Sequence, residues 1–247
     1  MRLKLISCEI LYREVCAVVA RSPNQVDVEF LPKGLHDAGS AEMLKTLQRA
    51  VDATDQGRVH YDAICLGYGL CGNGLVGLAA RSTRVVVPRA HDCITLFLGD
   101  KDRYLDYFNK HPGVYFTTTG WIERGEDGEL TQLSLKKQGF SMSYDELVAK
   151  YGEDNAQFLL EQINKYTVHY RQFTYIEMGV EPDDRFERCT IERAATRGWK
   201  YEKIRGDMSL IRALVDGGWD ENHFLVVEPG SRVVPRYDGK IIGTEPV

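Results

Sequence analysis

No apolar run in this chain approaches the roughly 20 residues of a membrane-spanning helix, and no cluster of lysine and arginine occurs. The first absence excludes a helical membrane span. The second, with a net charge of -5, argues against a nucleic-acid-binding surface. A CxxC pair is also missing, so the six cysteines carry no local zinc or redox signature. Internal repeats, low-complexity stretches and Pro/Gly/Ser-rich linkers are absent too, so composition marks no boundary. The opening MRLKLISCEILYREV has a basic flank but is interrupted by Glu9, Arg13 and Glu14, unlike a secretory signal. A cytoplasmic protein is expected. With 247 residues, 43% hydrophobic and 27% charged, the chain suits one large α/β domain or two small lobes.

Strand and helix patterns alternate along it. Residues 3–8 read as a strand, 10–20 as an amphipathic helix, 26–32 as a strand and 41–54 as a helix. DAICLG is a short, wholly apolar strand of the kind buried at the centre of a parallel sheet, and GLVGLAARS reads as a small-residue helix after it. RVVVPR, DRYLDYFNKH and VYFTTTG continue as strand, helix and strand. FTYIEMG, a helix over 184–197, WKYEKI, MSLIRALVDG and HFLVVEPG resume the alternation. The expected fold is α/β, a doubly wound, mainly parallel sheet with a helical insertion and a second α/β half. Its divisions are a Rossmann-like half over 1–120 carrying the Cys/His loops, a helical insertion or lid over 121–170, and a second half over 171–247.

Three cysteines fall where apolar strands give way to loops: Cys8 after LKLIS, Cys71 in LGYGLCGNG, and Cys93 after VVVPRAHD. Loops at the carboxyl ends of parallel strands open on one face, where ligands bind, so three distant thiols are expected to share one cavity. Thiolates ligate zinc, iron–sulfur clusters and cuprous copper, and three protein ligands with one open position make a catalytic zinc site. Cys8, Cys71 and Cys93 are the candidate metal ligands. His91, two residues before Cys93, is the best fourth donor, and His36 the other; both, with Glu9, are candidate acid–base groups. Gly69, Gly72, Asn73 and Gly74 form a loop that can clamp a cofactor, and Arg89 can meet an anion. Lys33, like Arg89, is a candidate to bind an anionic substrate, and Tyr68 and the TTTGW stretch at 117–121 are candidates for the cavity walls. GYGLCG matches a dinucleotide fingerprint only loosely, because it follows the third strand. Cys16 and Cys65 read as core; Cys189 stays ambiguous.

The strings LPKGLHD, LGYGLCGNGLVGL, PRAHDCITLFLG, TGWIERG and KYGEDNAQFLL, with GWKYEKIRGD and FLVVEPG beyond, resemble the uncharacterised domain-of-unknown-function family 1638 of anaerobic bacteria and methanogenic archaea. That resemblance implies one-carbon metabolism, since members accompany genes for corrinoid proteins and methyltransferases. The motif positions include Cys8, His36, Cys71, His91 and Cys93. The thiols call for a zinc or iron–sulfur centre, and the resemblance adds a corrinoid as a further cofactor candidate and a small molecule or corrinoid protein as partner. The expected function is a metal–thiolate enzyme or accessory protein of corrinoid-dependent methyl transfer. Two alternatives stay open: a metal-free racemase-like enzyme pairing two cysteines as acid and base, and a non-catalytic carrier of metal or corrinoid.

Overall fold

The computed structural model describes residues 1–35, 38–124, 148, 152–153 and 170–247. The chain is α/β. Its first sheet has five strands in the order β2-β1-β3-β4-β8, formed by β1 (Arg2–Cys8), β2 (Gln25–Leu31), β3 (Ala63–Gly67), β4 (Val85–Pro88) and β8 (Phe224–Val227). The first four run parallel, and β8 closes the edge antiparallel to β4. Every residue of β3 and β4 is buried, as expected of strands covered on both faces.

From β1 the chain first winds outward to β2, then returns to place β3 on the other side of β1. The winding therefore reverses between β1 and β3. A reversal of this kind is where parallel α/β sheets open a crevice, and residues at the ends of β1 and β3 line one here. Helix α1 (Tyr12–Val19) follows β1 after a 3-10 turn over Glu9–Leu11, and α2 (Ser40–Asp55) leads from β2 toward β3. Met43, Leu47 and Val51 recur every four residues along α2 and bury its inner face.

A second, three-stranded parallel sheet has the order β5-β6-β7, from β5 (Val114–Thr117), β6 (Gln172–Glu177) and β7 (Lys200–Arg205). The two sheets trade strands across the expected division of the chain. β5, from the first half, joins β6 and β7, while β8, from the second half, completes the first sheet. One apolar core takes in Leu5 of β1, Phe97 and Ile176 of β6. Five further helices are α3 (Cys93–Leu98), α4 (Lys101–Lys110), α5 (Thr119–Glu123), α6 (Arg185–Arg197) and α7 (Ser209–Asp216). Apart from α5, the helical insertion expected over 121–170 lies almost wholly outside the described residues.

Three local expectations are corrected. GLVGLAARS is not a helix: residues 71–77 form successive turns, and the chain then pairs with the C-terminal hairpin of β9 (Ser231–Pro235) and β10 (Ile242–Pro246). Gly77 N–H donates to Val233 O at 2.8 Å and Val233 N–H to Leu78 O at 2.8 Å. Two glycines inside the segment cost a helix about 1 kcal/mol each, and the hairpin supplies the backbone partners instead. Cys93 does not end a loop but begins α3, whose N-cap is Asp92. Cys16, expected in the core, is exposed. The buried stripe of its helix runs through Val15 and Val18, and residue 16 sits about 100° round the helix from Val15.

Candidate functional site

The crevice at the winding reversal is where the thiols meet. Cys8, Cys71 and Cys93 line one cavity with about 370 Å³ of free space, part of it continuous with solvent. At depth it leaves room for little more than a water molecule or a single ion. Cys8 is buried, while Cys71 and Cys93 keep some surface.

Close backbone approach brings the sulfurs together. The chain leaving β3 stays hydrogen-bonded to the chain leaving β4: Leu70 N–H donates to Ala90 O at 2.8 Å and Cys71 N–H to His91 O at 2.9 Å. A Cβ at Gly69 would stand 2.7 Å from Asp92 Cα, so only glycine lets the two loops touch. The turn beyond is tight, with φ of 47° at Cys71 and 71° at Asn73, in the left-handed region where non-glycine residues are strained. Gly72, at φ 65°, continues it, and Gly74 packs against Met43 of α2. Asp92 then sets the third thiol in place. Its carboxylate accepts from Ile94 N–H at 3.0 Å and Thr95 N–H at 3.4 Å, capping α3, and from the Tyr104 hydroxyl at 3.1 Å.

Helix α5 adds the indole wall. Gly120 lies so close to Ile10 O that any Cβ would collide with it at 1.7 Å. This contact seats Trp121 in the cavity, where its side chain donates to Cys93 Sγ. Lys33, from the turn after β2, reaches the same space and is 8% exposed; its Nζ stands 5.6 Å from the Trp121 ring centroid. Tyr68 and Met43 complete the wall.

The electrostatics follow from burial. Desolvation pushes the Cys71 thiol up to about 12, with the negative charge of Asp92 adding to it; the backbone N–H groups of Gly69 and Cys93, aimed at its sulfur, oppose the rise. Burial lifts Cys93 well above the ordinary thiol value, with Asp92 and the other two thiols adding, against the indole hydrogen bond. Both are therefore thiols, not thiolates, at neutral pH. A bound cation would reverse that preference, because it supplies the charge a buried thiolate needs.

The other sequence candidates lie elsewhere or do other work. His91 is exposed and lies outside the cavity wall, and Asp92, occupied as a cap, does not orient it. Glu9 Oε1 accepts from Lys33 N–H at 2.9 Å, tying the β2 turn to the end of β1. His36 lies outside the described residues. Arg89 is 7% exposed and spends its guanidinium on backbone carbonyls, at 2.9 Å from Glu221 O and 2.8 Å from Lys240 O, with Phe224 O and Ile242 O besides. It pins β8 and the C-terminal hairpin to β4 and offers no free face to an anion. Cys65 is core, as expected, and Cys189 on α6 does not line the cavity.

Among the described residues, no group of three or more His, Cys, Asp or Glu is arranged to hold a metal ion, so the three sulfurs share a cavity without forming a finished coordination site. Among them too, no helix is long and apolar enough to cross a membrane. A family model described as "Protein of unknown function (DUF1638)" matches residues 30–215. No curated protein matches the chain, and no solved structure does.

Proposed function

The chain belongs to the DUF1638 family of unknown function, and from that premise we propose that it is a metal–thiolate enzyme or accessory protein of anaerobic one-carbon chemistry. Cys8, Cys71 and Cys93 are its ligands, and the ion is a soft one, zinc or the iron of an iron–sulfur cluster. One observation carries this reading: three thiols, from the end of β1, the turns after β3 and the start of α3, line a single narrow cavity at the winding reversal of the sheet. Thiolate is the ligand type these metals favour, and ligation overcomes the burial that otherwise keeps Cys71 and Cys93 protonated. Loading draws the sulfurs inward, since as they stand they do not form a finished ligand set. The turn that carries Cys71 is the element to move, because its left-handed backbone already stores strain.

His91 is exposed, so it enters the first coordination shell only if the loop before α3 turns over. The fourth position therefore goes to an external group, the pattern of a catalytic rather than a structural zinc centre. The cavity is too narrow at depth to enclose a corrin ring, so a corrinoid would meet this site at its mouth, carried by a partner protein. The reading with two cysteines as acid and base finds less support. It needs one thiolate near neutral pH, and burial holds both Cys71 and Cys93 above that range.

Anaerobic purification followed by metal analysis tests the proposal. Stoichiometric zinc or iron is expected in the wild type and loss of it in Cys71→Ser and Cys93→Ser. No bound metal in any preparation, including one reconstituted with zinc, overturns it. A brown preparation with visible absorption identifies a cluster, and a colourless one zinc. Turnover of purified protein alone then separates an enzyme from a carrier, which would act only with a corrinoid protein present.

A further inference from the structure

We infer that Cys71 and Cys93 are a redox-active dithiol, which a small organic disulfide entering the cavity converts to an internal Cys71–Cys93 disulfide. The bridge needs two sulfurs and no ion, so it goes beyond the metal–thiolate reading and does not rest on it. Among the described residues no three donors are arranged to hold a metal, whereas a pair of these thiols is drawn together by the main chain itself.

The chains that carry the pair are joined beside both cysteines. Leu70 N–H donates to Ala90 O at 2.8 Å and Cys71 N–H to His91 O at 2.9 Å, and Gly69 lies against the backbone of Asp92. Cys71 Sγ in turn accepts from the N–H of Cys93, so it lies one hydrogen bond from the residue that bears the other thiol. A disulfide requires main chains in close approach, with Cα atoms about 4–7 Å apart. Both cysteines keep some surface on a cavity that is continuous with solvent, so a small reagent can reach them.

The hydrogen bonds also set the order of events. The N–H groups of Gly69 and Cys93 point at Cys71 Sγ and stabilise charge that develops there, which makes Cys71 the attacking sulfur. It displaces one half of the reagent as a thiolate, which takes up the proton that Cys71 gives up, and a mixed disulfide forms. Cys93 Sγ then attacks the Cys71 sulfur, expels the second half and passes its own proton to it. In sum, two protein S–H groups and one R–S–S–R give one protein S–S bond and two R–S–H; the protein is oxidised and the reagent reduced. The product is neutral, so the apolar wall of Ile10, Leu35 and Met43 does not penalise it as it would a charged sulfur.

Peptide mapping of the wild type tests the inference. Full-length protein is stripped anaerobically with a chelator and held with 2-hydroxyethyl disulfide until exposed Cys16 is fully modified. It is then quenched in acid, blocked with N-ethylmaleimide under denaturing conditions and digested without reduction. The Cys71 and Cys93 peptides are expected joined, with Cys8 and Cys65 alkylated, and dithiothreitol should restore both thiols. The bridge spans 22 positions of the chain, so the bridged protein should melt roughly 5–10 °C higher. In Cys93→Ser the reagent should stop as a mixed disulfide on Cys71, and in Cys71→Ser it should leave Cys93 unmodified. Separate adducts on Cys71 and Cys93 without a link, a bridge that includes Cys8, no reaction at either residue, or a lower midpoint in the bridged protein overturns the inference. None of these results touches the metal reading, which the metal content of the untreated protein decides. A Cys71–Cys93 bridge in protein that never takes up metal upholds the dithiol and leaves the metal reading to fall alone.

Discussion

Glu14, in the first turn of α1, is fully buried, and neither of its carboxylate oxygens has a hydrogen-bond partner among the described residues. Burial raises its pKa from 4.5 to about 7, with the charge of Glu181 adding and that of Arg13 opposing. A carboxyl group whose folded pKa lies above its unfolded one favours the folded state while protonated. That contribution is whole below about pH 4.5 and disappears as the pH rises through about 7. The shift corresponds to about 3 kcal/mol. Urea denaturation from pH 5 to pH 8 should therefore show wild-type stability falling by roughly that amount from this residue, and Glu14→Gln should largely flatten the slope. An unchanged slope in E14Q would mean that the carboxyl is hydrated or paired. The cavity thiols follow the same physics with a chemical readout. In metal-free protein at pH 8, iodoacetamide should label exposed Cys16 well before Cys71 or Cys93, which burial keeps protonated. Mass spectrometry of peptides from a time course decides it; fastest labelling at Cys71 would contradict the assigned protonation.

At the level of elements, the site depends on how the ends of β3 and β4 are spliced. Gly69→Ala drives a methyl group into the Asp92 backbone, and overpacking of this kind costs about 1–3 kcal/mol. Its thermal midpoint should fall, and the loops should part, so on the proposed metal–thiolate reading metal uptake should fall with it even though all three cysteines remain. Asp92→Ala removes the α3 cap at about 1 kcal/mol, whereas Asp92→Asn, which still caps, should recover most of that loss. Equal midpoints for the two Asp92 variants would show that the cap contributes nothing. Much of this was legible in the sequence. Strands ending at cysteines placed the thiols, and the alternation of apolar strand and amphipathic helix gave the sheet. Helix α3 was missed, although Asp92 before CITLFL and Gly99 after it are a cap and a left-handed stop around one apolar turn. The turns at 71–77 were not legible, since glycine-rich apolar stretches suit a helix or a loop and the deciding partner, β9, lies more than 150 residues away. Nor does spacing show that His91 faces solvent, because two adjacent residues of a cap loop point apart.

Across the whole molecule, strand exchange between the sheets was beyond sequence reasoning. Periodicity identifies strands but not their partners, and the antiparallel entry of β8 beside β4 depends on contacts made only in the folded state. Arg89 holds this arrangement, with four carbonyls from β8, its flanking loop and the hairpin around one guanidinium. Arg89→Leu would leave those oxygens buried without a donor, a loss of about 3 kcal/mol or more. Chemical denaturation should show that loss, and on the proposed metal–thiolate reading the metal content of the folded fraction should stay at the wild-type level, because Arg89 is not part of the cavity wall. A loss of zinc without a loss of stability would instead place Arg89 in the site.

The order of synthesis gives the position of β8 one more consequence. Every described cavity residue has been synthesised once Trp121 is made, but the flank of β4 stays bare until Phe224–Val227 follow about 100 residues later. Through that interval a nascent chain presents an unpaired strand edge, a template for pairing with other chains. Fragments truncated short of residue 224 should therefore collect as aggregates.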